Sequence, residues 1–176
     1  MKIRTAIAAA VLTIAATLAS AQTPVTKATV PGVVNFSKVE TTVACAGATT
    51  PAALAEVKKM GYNSVINLRT TGENGFDADA EAAAAKAAGI TYVHLPFNAQ
   101  APDPALVDNF LKAITDKANQ PAFIHCASAN RAAALWMIKR IAVDKWDVDK
   151  ATEEATALGM TSPALKAFAI EQAKKH

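Results

Sequence analysis

The segment Phe123-Ile124-His125-Cys126-Ala127-Ser128-Ala129-Asn130-Arg131, with a helix-forming run from Ala132 to Val143 directly behind it, leaves the backbone few choices. It reads as a buried strand, a tight loop that starts with Cys and ends with Arg, and a helix whose N-terminus faces that loop. Amides of such a loop turn inward, and the helix dipole adds roughly half a positive charge there, which suits an oxyanion without any metal. Ala127, Ser128, Ala129, Asn130 and Arg131 would supply the donors. Cys126 at the floor of the cup meets the same field, which favours thiolate over thiol and can lower a cysteine pKa from about 8.5 into a range of ~3.5–7.5. Arg131 adds a planar fork of donors matched to two oxygens of a tetrahedral anion. A lone Cys after a strand is more often a small buried hydrophobe, but the pairing with Arg131 and the helix favours an anion-binding nucleophile. His125 either orients the loop backbone by a hydrogen bond or simply ends the strand.

The rest of the chain repeats the same beat. Residues 22–34 are rich in Thr, Val and Pro and read as an extended arm, and Phe36 to Cys45 suggests one or two short strands. Thr50-Pro51 opens a helix that Gly61 ends, Ser64 to Leu68 is a buried strand, and Asp77 to Ala88 is an Ala-rich helix closed by Gly89. Ile90 to Phe97 is a strand, and Asp103-Pro104 opens a helix whose Leu106, Val107, Phe110, Leu111 and Ile114 share one face. Two more helices follow, Asp147 to Leu158 and Ser162 to Lys175. Strands alternating with helices of this length imply an α/β fold with a mostly parallel central sheet of about four to five strands in three layers. In such sheets ligands sit beyond the carboxyl ends of the strands, where Cys126 falls. Glu73 and Arg69 flank the loop after the Ser64 strand, either lining the pocket or forming a solvated ion pair.

Composition matters at three points. Lys2 and Arg4, an apolar run from Ala6 to Leu18 and the small-residue site Ala19-Ser20-Ala21 read as a signal peptide over residues 1–21, with a mature chain starting at Gln22 in the periplasm or outside the cell. The run is too short for a ~30 Å hydrocarbon core, so no membrane association is expected after cleavage. The net charge of +3 invites a nucleic-acid partner, yet Lys2 and Arg4 leave with the signal peptide and no basic stripe interleaves with aromatics, so none is expected. The two cysteines, Cys45 and Cys126, matter in an oxidising compartment: Cys45 is either a small buried filler or the partner of a reversible disulfide. No ligand cluster calls for a metal or other cofactor.

Four segments in order, Asn35-Phe36-Ser37-Lys38-Val39, Gly61-Tyr62-Asn63-Ser64-Val65-Ile66-Asn67-Leu68-Arg69, Gly89-Ile90-Thr91-Tyr92-Val93-His94-Leu95-Pro96 and the His125-to-Arg131 loop, resemble bacterial tyrosine and dual-specificity phosphatase-like proteins. The nearest resemblance is to the beta-lactamase-hydrolase-like phosphatase family, over roughly residues 35–159 within a domain of residues 35–176. The resemblance implies the dual-specificity-phosphatase fold and a phosphorylated small molecule or protein as substrate. It also implies a two-step displacement in which Cys126 attacks phosphorus while the loop amides and Arg131 hold the oxygens.

Three positions depart from the wider pattern. Four residues separate Cys126 from Arg131 where five are usual, a spacing shared with rhodanese-type sulfurtransferases that carry a persulfide. Ala132 stands where Ser or Thr commonly steadies the departing thiolate, leaving Ser128 as the substitute hydroxyl. Phe97-Asn98-Ala99-Gln100 lacks the usual Asp, so Asp103 is the candidate general acid and equally the N-cap of the helix at Pro104. A phosphatase, a sulfurtransferase and an inactive oxyanion-binding module all remain open on these residues.

Overall fold

Short polar side chains start the long helices, as their spacing in the sequence predicts. Asp77, Asp103, Asp147 and Ser162 each accept a hydrogen bond from a first-turn amide, at 3.0, 2.9, 2.8 and 3.3 Å respectively, and so satisfy donors that a helix cannot satisfy itself. In the computed structural model, which describes residues 24–176, the helices are α1 (Leu54–Lys59), α2 (Ala78–Ala88), α3 (Pro104–Thr115), α4 (Asn130–Ala142), α5 (Val148–Leu158) and α6 (Pro163–Ala173). The expected helix at Pro51 begins as a single 3-10 turn, Pro51–Ala53, before α1. The leader-like residues 1–21 lie outside the described residues.

The strands are β1 (Thr26–Lys27), β2 (Ser37–Glu40), β3 (Val43–Ala46), β4 (Ser64–Asn67), β5 (Thr91–His94) and β6 (Ala122–His125). They form one sheet in the order β1-β2-β3-β6-β4-β5. From β3 to β5 every pairing is parallel, and β1 and β2 extend the sheet antiparallel. The sheet thus has six strands rather than four to five. Part of the difference is the arm: Thr26 and Lys27 pair with Lys38 and Ser37 as an edge strand.

Period-two alternation divides the core. Cys45, Ile66 and Ile124 pack with α3, α4, α5 and α6 on one face. Ala44, Val65 and Phe123 pack with α1 and α2 on the other. Residue 125 therefore belongs with the α2 face and residue 126 with the α4 face. β6 sits between β3 and β4, so its carboxyl end opens at the middle of the sheet.

Helix α4 is buried nearly all round, including Trp136 and Arg140. A buried cation requires partners. The Nε of Arg140 donates to Glu154 Oε1 at 2.7 Å and one Nη to Glu154 Oε2 at 3.1 Å, and Trp136 Nε1 donates to the same carboxylate at 2.6 Å. The guanidinium lies 4.5 Å from the Trp136 ring centroid and 4.1 Å from that of Trp146. This network ties α5 to α4, the helix that carries the cysteine loop. Asp144 at 2.9 Å and Glu40 at 3.5 Å also face one Nη of Arg140, but Glu154→Ala should still lower the unfolding free energy by about 3 kcal/mol, because the Arg140 Nε, its other Nη and Trp136 Nε1 lose their acceptor in the core. Urea denaturation checks this, and an unchanged midpoint would show that Asp144 and Glu40 suffice for Arg140.

Candidate active site

Helix α4 is the exception among the longer helices: no side chain caps it. Its N-cap residue is Ala129, held at φ 77° in the left-handed region that costs a residue with a Cβ. The preceding loop uses its carbonyls, not its amides, to bind the scaffold. Ala127 O accepts from Ala48 N at 2.8 Å and Ser128 O from Asn35 Nδ2 at 3.4 Å. Among the described residues the amides of Ala127 and Ser128 donate no hydrogen bond. An uncapped helix start and unpaired loop amides at one strand end are the elements of an anion cup.

Gly47 lets the loop sit so low. A Cβ there would lie 3.0 Å from Ala127 O, 3.1 Å from Val34 O and 3.2 Å from Ser128 Cα. At the loop's far end the side chain of Asn130 is committed to the α5–α6 connection: its Nδ2 donates to Thr161 Oγ1 at 2.8 Å and its Oδ1 accepts from Thr161 N at 3.1 Å. Asn130 and Ala129 thus serve the loop through their backbone and its anchoring. Ser128 is exposed, and its hydroxyl has no partner among the described residues.

Cys126 is 0 % exposed, and its amide donates to Ala46 O at 3.2 Å. The Arg131 guanidinium interacts electrostatically with its sulfur. That guanidinium is clamped by Glu73 in a two-pronged pair, Nη1 to Oε1 at 2.6 Å and Nη2 to Oε2 at 2.8 Å. Nη1 also donates to Phe97 O at 2.8 Å and Leu68 O at 3.1 Å. Burial works against the Arg131 charge, but Glu73 and Cys126 outweigh it and raise its pKa. The Nε proton and one Nη2 proton have no protein oxygen among the described residues.

Glu73 is itself held from three sides. Thr70 donates to it through its amide at 2.7 Å and its hydroxyl at 3.0 Å, and Arg69 Nε at 3.2 Å. Arg69 is only 4 % exposed and also holds Asn74 O at 2.7 Å. The expected pair of Arg69 and Glu73 therefore exists but is not solvated, since it braces Arg131. Glu73 and Arg131 line a cleft of about 280 Å³ together with Thr70, Asn98, Ala99 and Gln100. The importance of Glu73 is hard to read from sequence; its one signal is the Thr three residues before it, which favours a local turn.

The structure gives His125 a partner that sequence reading missed. Its Nε2 pairs with Glu81 Oε1 at 2.6 Å, both side chains buried. Glu81 Oε2 also accepts from Asn67 Nδ2 at 3.0 Å, which in turn reaches the Tyr92 hydroxyl at 2.9 Å. The His125 ring stacks on Phe123, and its Nδ1 has no partner among the described residues. These contacts include no side-chain hydrogen bond from His125 to the loop backbone among the described residues. Asp103 is exposed, accepts from Ala105 N, and is not among the residues lining the cleft. Cys45 is buried on β3, and both cysteines are free thiols. Burial first, then the nearby Glu154 carboxylate, pushes the Cys45 pKa up.

Burial raises the pKa of the Glu73 carboxyl, but hydrogen bonds from Arg131 and Thr70 and the Arg131 charge bring it down to about 2. A carboxyl lowered on folding stabilises the fold fully above its ordinary value of 4.5 and loses that contribution as pH falls toward 2. The stability gap between the protein and its Glu73→Gln variant, read by urea unfolding, should hold steady from neutral pH to about 4.5 and narrow below it. A gap independent of pH would mean that the charge on Glu73 contributes nothing.

Comparison with known proteins places this geometry in context. The family model for the beta-lactamase hydrolase-like protein, phosphatase-like domain, matches residues 35–143. A beta-lactamase hydrolase-like protein of Xylella fastidiosa is 35 % identical over 85 residues, which cover 47 % of this chain and 20 % of that relative. The match thus spans only a fifth of the relative's length. A DUF442 protein of Shewanella putrefaciens CN-32 superposes with a TM-score of 0.71 at 21 % identity, covering 82 % of this chain and 94 % of that one. TpbA of P. aeruginosa superposes at 0.65 and 21 % identity, covering 91 % and 93 %, and a cysteine-to-serine form of it has been solved with pTyr. These structures share the fold, and the family match covers strands β2 to β6, the cleft and the Cys126–Arg131 loop over more than half of the sequence: the chain belongs to the beta-lactamase hydrolase-like protein, phosphatase-like domain family.

Proposed function

We propose that this protein is an exported, cysteine-dependent phosphatase that hydrolyses phosphate monoesters of the aryl phosphate or phosphotyrosine type. The observation that carries the reading is the Arg131 guanidinium at the end of the Cys126 loop, locked by Glu73 while its Nε proton and one Nη2 proton have no protein oxygen among the described residues. In the first step Cys126 Sγ attacks phosphorus as the P–O bond to the leaving group breaks, giving a cysteinyl-phosphate. The loop amides and the two open N–H groups of Arg131 take the charge that builds on the equatorial oxygens. In the second step water attacks phosphorus, the P–S bond breaks, and phosphate leaves as the thiolate returns.

Among the described residues the carboxyl that lines the cleft, Glu73, is held as a carboxylate by Arg131 and Thr70, and the Asp103 carboxylate caps α3, so the reading assigns no general acid. The oxygen then departs as a phenolate, which is easy for acidic phenols and costs roughly 10²–10⁴-fold for poor leaving groups. The phosphatase family match favours this chemistry over a persulfide carrier. The pTyr bound by TpbA is in keeping with an aryl phosphate substrate.

Asp103→Asn should change p-nitrophenyl phosphate turnover less than about three-fold while Cys126→Ser abolishes it. Near-complete loss in the Asn variant would make Asp103 the acid. Phosphate binding without turnover of any aryl phosphate would identify an inactive oxyanion-binding module, and thiocyanate formed from thiosulfate and cyanide without phosphatase activity a sulfurtransferase. The export reading rests on the basic start, apolar run and Ala19-Ser20-Ala21 site. Protein recovered from the periplasm or medium of a producing cell should begin at Gln22; an intact Met1 in the cytosolic fraction would refute it.

A further inference from the structure

A second cavity adjoins the cysteine loop on the side away from the Glu73 cleft. It has a volume of about 320 Å³ and is lined by Lys27 of β1, Asn35, Ser37 of β2, Ser128 and Asn130 of the loop, and Thr161 before α6. We propose that this cavity is a subsite for a second acidic group, a carboxylate or phosphate, carried by the phosphorylated substrate. The proposal rests on the phosphatase reading above and adds to it what the rest of the substrate looks like.

The chemistry of the lining carries the argument. No carboxylate lines the cavity. Lys27 has no ion pair and no side-chain hydrogen bond among the described residues, so its ammonium is an uncommitted cation at the rim. Ser37 is 1 % exposed, yet its hydroxyl has no partner among the described residues. That hydroxyl is not sealed from solvent, so a guest or water in the cavity can take its proton. The Ser128 hydroxyl is unpaired as well. Asn130 is spent on Thr161 and forms a wall rather than a contact. One cation and two free hydroxyl donors with no anion between them select an acceptor of negative charge.

Position makes the guest part of the substrate. Ser128 lies two residues after Cys126 in the loop that would hold the phosphoryl group, so a group seated against it is next to that centre. Lys27 and Thr161 stand outside residues 35–143, the stretch that the family model matches. The cavity is therefore assembled from the shared domain and two segments flanking it, which makes it a feature of this chain's specificity. Lys27 reaches it only because the N-terminal arm joins the sheet through β1.

The test compares phenyl phosphate with 4-(carboxymethyl)phenyl phosphate, whose leaving groups are alike and whose charges differ. Wild-type protein should favour the carboxylated ester by about five-fold in kcat/KM, the range of one exposed ion pair, and the preference should shrink as salt is raised. Lys27→Ala should bring the ratio close to one and Lys27→Glu below it. Because the readout is a ratio, a variant that is partly unfolded does not disguise the result. Equal turnover of both esters by the wild type, or a ratio that survives in Lys27→Ala, overturns the proposal. If neither ester is turned over and p-nitrophenyl phosphate, with its acidic phenol, is not turned over either, the phosphatase reading fails on its own. Calorimetric binding of the two esters to the Cys126→Ser variant, with and without Lys27→Ala, then decides the subsite: a Lys27-dependent preference supports it and its absence removes it.

Discussion

Two oxygens of Glu73 hold two nitrogens of Arg131, and much of the site follows from that clamp. Arginine has many rotamers, and an unheld guanidinium beside a nucleophile would have to be ordered at each encounter with an oxyanion. Here the ordering is done in advance. Carbonyls at the ends of the β4 and β5 segments, Leu68 and Phe97, share the Nη1 proton that Glu73 does not take. The same carboxylate gathers Arg69 and Thr70, so the loop after β4 is fastened to the cysteine loop by a single side chain. Two guanidiniums against one carboxylate leave the cluster positive, which suits an oxyanion beside Cys126.

The second constraint is the parity of β6. Its side chains alternate between the two layers of helices, so His125 and Cys126 fall on opposite faces although they are neighbours in sequence. His125 faces a buried polar group built from Glu81, Asn67 and Tyr92, while Cys126 sits in the large core around α4. Burial pushes the Tyr92 hydroxyl up to about 12, with Glu81 adding to the rise, so it stays a neutral partner for Asn67. The floor of the cup is braced by polar contacts on one side and by packing on the other. Helix α4, fixed by Glu154 through Arg140 and Trp136, sets the height at which the loop begins.

Local signals in the chain read well where the physics is local. Asp77, Asp147 and Ser162 cap the helices that their positions announce, and Gly89 and Gly159 end theirs in the left-handed conformation. Asp103 likewise caps the helix at Pro104. Glu81 shows the opposite case. An acid in an Ala-rich helix looks like a solvated residue, and only the packing of α2 against β4 and β6 brings it to His125. Gly47 between two alanines gives no hint that the cysteine loop passes 3 Å from where its Cβ would be.

From the sequence alone follow the alternation of strands and helices, the parallel sheet, the cysteine and arginine at either end of one short loop, and the family resemblance. All of these depend on residues near one another in the chain, where propensity, capping and period decide. Tertiary structure alone decided that Glu73 clamps Arg131, that Glu81 meets His125, and that Lys27 of the arm and Thr161 of the last connection border the same cavity as Ser128. Those pairings join residues that the chain keeps far apart, and they form because burying a charge or a hydroxyl is costly until a partner from another element is brought to it.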